Sequence, residues 1–417
     1  MAFLLSAVAL YLLSITQAVV AKPCIAFDST WNLYAFGLDG KDYNASSQAA
    51  WTSSAQSRLL LFTPANFSNA GTPAADITTT GRPPFDGANT TCYLAQYFNA
   101  IYVINGDAAN PNSVYIYNVA TPGWSMQQTT PGGFSFANFG AILDHDTNVF
   151  SLRHLTQIPD ALSSGEMYFL DMGDLITANS TAISWTDVGP SPYGASYDPV
   201  MAIANNHIHF LDVPSVPAGS ADIFVIHFSW YQPFTQAYPL VNGESGTIPN
   251  TQGQVASFFQ ESNTVQQEFA FIPQDSSNTY VINVMTNDTQ QLAGPTTKDP
   301  LATYFAGVTS LVQLSSSGAV SFLPYTQGDD AGNSAATWTP VAALAAAVPA
   351  STSSGASSSA TASASAGSAK SSGTATAGSS SSTPQAAGAG INGASSSHHI
   401  SNALAGFFAI AALVCLL

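Results

Sequence analysis

The chain has 417 residues, 46% apolar and only 7% charged, where ordinary soluble proteins carry about 25% charged residues. Seven Lys and Arg against 24 Asp and Glu give a formal net charge of −17, which excludes nucleic acid and anionic membrane surfaces as partners. An aromatic content of 11% excludes a disordered acidic chain and points to a buried core.

Both ends read as addresses. Residues 3–21, FLLSAVALYLLSITQAVVA, form an apolar run ending in small residues at the last and third-last positions. Signal peptidase accepts that arrangement, so residues 1–21 are expected to be a secretory signal peptide cleaved after Ala21. At the other end, residues 403–417, ALAGFFAIAALVCLL, are uncharged but shorter than the ~20 residues of a membrane span. A polar spacer, 395–402, and the small residues Asn392-Gly393-Ala394 precede this tail. Those are the parts of a glycosylphosphatidylinositol (GPI) signal, with Asn392 as the attachment residue and 393–417 as the propeptide removed. A tail-anchored helix is the alternative, and the N-terminal signal argues against it.

Between these ends the chain has two parts. Residues 349–392 are almost entirely Ser, Ala, Thr and Gly, with no apolar periodicity to bury, and are expected to form a disordered, O-glycosylated stalk. Residues 22–348 hold five N-x-Ser/Thr sequons, at Asn44, Asn66, Asn89, Asn179 and Asn287, expected in surface loops of a secreted glycoprotein. Cys415 leaves with the tail, so Cys24 and Cys92 remain, and in an oxidising compartment they most simply pair.

Residues 22–348 read as strands throughout. Apolar bursts at 33–36, 101–104, 149–152, 208–211, 268–271 and 320–323 recur about every 50–60 residues. A small-residue apolar run precedes each burst (24–27, 92–95, 139–143, 200–204, 254–258, 308–312), and a Tyr- or Phe-bearing strand follows most of them. Trp124, Trp185 and, less regularly, Trp230 close three units. Four short antiparallel strands per unit bury both faces only when several sheets stack around an axis, so the pattern predicts an all-β protein, a β-propeller of six blades, or seven if the long first unit conceals one. A pair of β-sandwich domains is the structural alternative.

Residues 100–124, AIYVINGD…VYIYNVATPGW, resemble a kelch repeat, and the architecture is similar to the galactose-oxidase/kelch superfamily of propellers. The diagnostic Gly-Gly pair is replaced by Asn105-Gly106 in this unit and is missing from the others. The layout of signal, propeller, stalk and GPI tail resembles fungal wall proteins.

That resemblance makes a copper radical oxidase the enzyme to look for, and it needs a Cys-linked Tyr, a second Tyr and two His. Cys24 and Cys92 lie in no such context. His207 and His209 point to one face of a strand, but His209 falls at an ordinary apolar position and His207 in the preceding turn. Residues 144–148, DHDTN, begin like a calcium loop yet lack its glycine and its final Glu, and are expected to be a hairpin turn. Residues 329–333, DDAGN, are expected to be a plain loop. Nucleophile-elbow, zinc-protease and phosphate-loop motifs are absent, and only six Lys and Arg serve 22–348, so nucleotide chemistry is excluded. No catalytic residue, metal ligand or cofactor is assigned.

The sequence thus predicts a non-catalytic, GPI-anchored cell-surface or cell-wall glycoprotein. Its expected partner is an extracellular polysaccharide or wall glycoprotein, and it meets the membrane through the lipid anchor alone. The competing class is an extracellular carbohydrate-active or oxidising enzyme with its site at the propeller axis. Two carboxylates about 5–9.5 Å apart on that axis would favour a hydrolase.

Overall fold

A computed structural model describes residues 21–51, 72–136, 139–153, 164–194, 196–241 and 246–348. Residues 1–20, Asn66, the stalk and Asn392 with its apolar tail lie outside them.

Short runs of β-branched and aromatic residues, punctuated by Gly, Asn and Asp turns, assemble into six sheets, each with its main strands antiparallel and in chain order. The six innermost strands are Cys24–Phe27, Thr91–Ala95, Phe139–Leu143, Val200–Ala204, Gly253–Phe258 and Thr303–Ala306. Each lies beside the next, and the sixth returns to the first. That closed ring is a six-bladed β-propeller. Strands such as Ala100–Ile104 and Val200–Ala204 are buried along their whole length, because neighbouring blades cover both faces of each sheet.

Ring closure uses side chains in place of a shared strand. The first blade comes wholly from residues 24–76 and the last from 303–340. Across their seam Phe27 packs edge-on to Phe305 at 6.0 Å and Trp51 to Phe322 at 5.1 Å, while Ala74 N–H donates to the Ala343 carbonyl at 2.9 Å. A Cys24–Cys92 disulfide, with Cα atoms 5.7 Å apart, ties the innermost strands of the first and second blades together. The second blade also gains a fifth strand: Ile183–Ser184, on its way to the third blade, pairs parallel to Thr129 and Thr130.

The aromatic residues fill the wedges between blades. Trp124 lies 4.9 Å from Phe36 and 5.0 Å from Tyr117, and Trp185 stacks on Phe134 at 4.1 Å. In the turn after Ala100–Ile104, Asn105 adopts φ 56°, a left-handed conformation that Asn tolerates.

Three sequence readings are corrected. In the sixth blade the apolar runs are displaced by one strand: 310–314 is the second strand and 320–324 the third, while the innermost strand is Thr303–Ala306, too short to register as a burst. His207 opens a strand, His207–Leu211; the turn before it is Asn205-Asn206, both at positive φ, as a two-residue hairpin requires. Asp330–Ala335 is a short helix whose N-cap, Asp329, accepts from Gly332 N–H at 3.0 Å. Trp230 is half exposed and lies outside the wedge between blades. Asp144 and Asn148 do form a hairpin turn, with Asn148 N–H donating to Asp144 Oδ1 at 2.7 Å.

Candidate functional site

A cavity of about 660 Å³ runs along the axis and is lined by the innermost strands of the second to sixth blades and by Ala21, Lys22 and Pro23, which lead into the first. Because every blade is four antiparallel strands, all the innermost strands run the same way. Loops joining first to second strands therefore gather at one end, and loops joining successive blades gather at the other.

The first end is covered by one loop. Residues 259–267 of the fifth blade make a longer connection than the corresponding turns at 28–31, 96–99, 144–147, 205–206 and 307–309. The loop reaches the other five blades. Gln96 Nε2 donates to the Gln260 carbonyl at 2.7 Å, and His145 Nε2 lies 3.1 Å from the Asn263 carbonyl. Asn205 N–H donates to the Gln266 carbonyl at 2.6 Å, and Gln327 Nε2 to Gln267 Oε1 at 3.3 Å. Phe259 sits between Trp31 at 5.9 Å and Phe305, parallel at 6.0 Å.

The opposite end carries a polar rim. Lys22 Nζ donates to the Ala88 carbonyl there. Gln252 Nε2 bridges Asp212 Oδ2 at 2.9 Å and the Asp198 carbonyl at 3.2 Å. Gln252, Gln254 and Asp198 also line an adjoining cavity of about 160 Å³, together with Gln274, Asp299 and Tyr304. Amides, hydroxyls and carboxylates of this kind suit a hydroxyl-rich neutral ligand.

Among the described residues two carboxylates line the axial cavity, Asp144 and Asp198, and they do not form a hydrolytic pair. A Cβ placed on Gly140 would lie 3.1 Å from Pro199, which sets the register of the two innermost strands. At ~3.3 Å per residue, Asp144 and Asp198 are then about 16 Å apart along the axis, beyond the spacing of either glycosidase geometry. Burial pushes the Asp144 carboxyl up to about 6, and its acceptor capacity is engaged by the Asn148 backbone and side chain within its own turn.

His209 is fully buried, its Nδ1 3.1 Å from the Tyr238 hydroxyl and its Nε2 3.4 Å from the Ala204 carbonyl. Burial pushes it down to about 3, so it stays neutral. No group of three His, Cys, Asp or Glu side chains is placed to hold a metal ion among the described residues. No helix among them is long and apolar enough to cross a membrane.

The sequon residues do not converge. Asn89, Asn179 and Asn287 are exposed, and Asn89 lies at the open mouth. Asn44 is half-buried within the strand Lys41–Ser47, its Oδ1 accepting from Ser46 N–H at 2.7 Å. Asn66 and Asn392 fall outside the described residues. The rim glutamines and the covering loop were not singled out from sequence. One signal was legible: the gap from 258 to 268 is the longest between the first two strands of any unit.

Together these features define a propeller with an axial chamber, covered at one end and polar at the other. No protein-family model matches the chain, and no curated protein matches it in sequence.

Proposed function

We propose that the chain is a secreted, GPI-anchored glycoprotein of the cell surface or wall, whose kelch-like propeller binds an extracellular saccharide without transforming it. The observation that carries this reading is the axial chamber with its single amide- and hydroxyl-bearing mouth. Gln252, Gln254 and the Asp198 carboxylate offer both donors and acceptors, as sugar hydroxyls require. Among the described residues its walls hold no close carboxylate pair of the kind that glycoside hydrolysis uses. The fungal-type layout, with a stalk at 349–392 and Asn392 as the anchor site, supports display away from the membrane. Glycans on Asn89, Asn179 and Asn287 would emerge from exposed loops, the first beside the mouth.

The experiment is a glycan array with protein released from intact cells by a GPI-specific phospholipase. Release followed by selective saccharide binding is expected, with binding lost in Gln252→Leu/Gln254→Leu. Turnover of the bound saccharide, or full retention of binding in that variant, would overturn the reading.

A further inference from the structure

The outer edge of the fourth blade is divided into two short strands. Its fourth strand is broken into Trp230–Tyr231 and Gln236–Ala237, with Pro233 between them, whereas the fifth blade ends in the unbroken Asp288–Ala293 and the first and sixth in the single short strands Ala75–Asp76 and Thr339–Pro340. A broken, proline-bearing edge resists pairing with another strand. Three large rings nevertheless stand out at it: Phe228, in the short 3-10 turn Ile226–Phe228 that leads into the edge, is 81% exposed, Phe234 82% and Trp230 51%. None of the three packs on another aromatic ring among the described residues. Tyr231 fills the wedge in their place, 4.8 Å from Phe224 and 5.7 Å from Tyr193, with its hydroxyl 3.0 Å from Met167 Sδ. The blade is therefore complete without the neighbouring rings, and a cluster of exposed apolar side chains marks a binding surface.

Charge decides what covers it. From 223 to 243 the chain holds no Asp, Glu, Lys or Arg, and from 154 to 297 it holds no Lys or Arg. An anionic lipid headgroup or polyanion finds no cation there. A second copy of this chain brings another −17 of like charge. Between and beyond the rings lie the half-buried Gln232 and Gln236. Aromatic faces against the C–H faces of sugar rings, with amides for the hydroxyls, fit an uncharged polysaccharide chain laid along the edge.

We propose that this edge is a docking platform for a neutral polysaccharide, with Phe228, Trp230 and Phe234 as its stacking faces. The platform is separate from the axial mouth and does not depend on it.

The test is depletion of the full secreted chain from solution by particles of cellulose, chitin and β-1,3-glucan. Wild-type protein is expected to bind at least one of them. Phe228→Ser/Trp230→Ser/Phe234→Ser should weaken that binding about tenfold or more, while Met285→Ser, at an exposed side chain of the fifth blade outside both sites, should leave it unchanged. Phe228→Ser and Phe234→Ser singly, at side chains over 80% exposed, keep the test valid if the triple variant misfolds. Absence of wild-type binding, or equal binding by the ring variants, overturns the proposal. So does loss of self-association or of binding to phosphatidylserine vesicles in the triple variant, because either assigns the patch to a different occupant. Loss confined to Gln252→Leu/Gln254→Leu would sink the platform while leaving the axial reading intact.

Discussion

Trp124 in the second blade and Trp230 in the fourth follow comparable strands of the repeat, yet their surroundings are opposite. Trp124 is wedged against Phe36, Tyr117 and Phe85, and its Nε1–H donates to Asp42 Oδ2 at 3.3 Å. Asp42 is itself fully buried, accepting from Gly37 N–H at 2.9 Å and pairing with Arg82 at 2.9 Å. One residue of displacement in the fourth blade puts Tyr231 into the wedge and Trp230 on the surface. In a strand, successive side chains take opposite faces, so a one-residue step converts a structural tryptophan into an available one.

The comparison breaks first at Asp42. Asp42→Ala removes the carboxylate partner of Arg82, which keeps the Gly40 carbonyl, and leaves Trp124 Nε1–H and Gly37 N–H without their acceptor, so a loss of about 4 kcal/mol is expected in denaturant unfolding. Loss near zero would mean that the wedge stands without its polar anchor.

Next in size is the crosslink beside it. Cys24→Ser/Cys92→Ser opens a loop spanning a sequence separation of 68 and should cost about 3 kcal/mol. The same unfolding curves test it, and an unchanged midpoint would show that packing alone holds the first two blades together.

A smaller effect concerns pH. Burial raises the folded-state Asp144 carboxyl to about 6, against ~3.9 in an unfolded chain. Between those values the folded protein binds the proton more readily, so this group's stabilisation is fully present below the window and is lost as pH rises through it. His209 works the other way: held at about 3 by burial, it stays neutral while the unfolded imidazole takes a proton below ~6.5. The variant Asp144→Asn isolates the first contribution. Relative to it, wild type should gain about 2 kcal/mol as pH falls from 7 to 4. A pH-independent difference in their thermal midpoints would contradict the assignment.

The smallest effect sharpens the comparison most. Trp230→Ala is expected to change stability by no more than about 0.5 kcal/mol, as for an ordinary surface site. Trp124→Ala should cost about 3 kcal/mol through lost aromatic packing. Equal losses in thermal unfolding would show that both tryptophans are structural.

The sequence carried more of the fold than of the site. Runs such as Ala100–Ile104 and Val200–Ala204 announced strands buried on both faces, and their recurrence required a closed ring. The sixth blade was misread by one strand because Thr303–Ala306 is only four residues long, and a period-two pattern needs more than that to declare itself. Cys24 and Cys92 could be paired because they are the only two cysteines in residues 22–348.

The site is different, because its members are far apart in the chain. Gln96 meets Gln260, His145 meets Asn263, and Gln252 meets Asp212. Each is an ordinary polar residue beside a turn, with no motif to mark it. Composition and period determined the kind of architecture, because burial of alternating apolar faces is a local property repeated along the chain. Which loop covers the axis, which end stays open and which tryptophan faces solvent were decided only by closure of the ring. Closure brings together residues more than a hundred positions apart and fixes strand register to a single residue, and neither is encoded in any one segment.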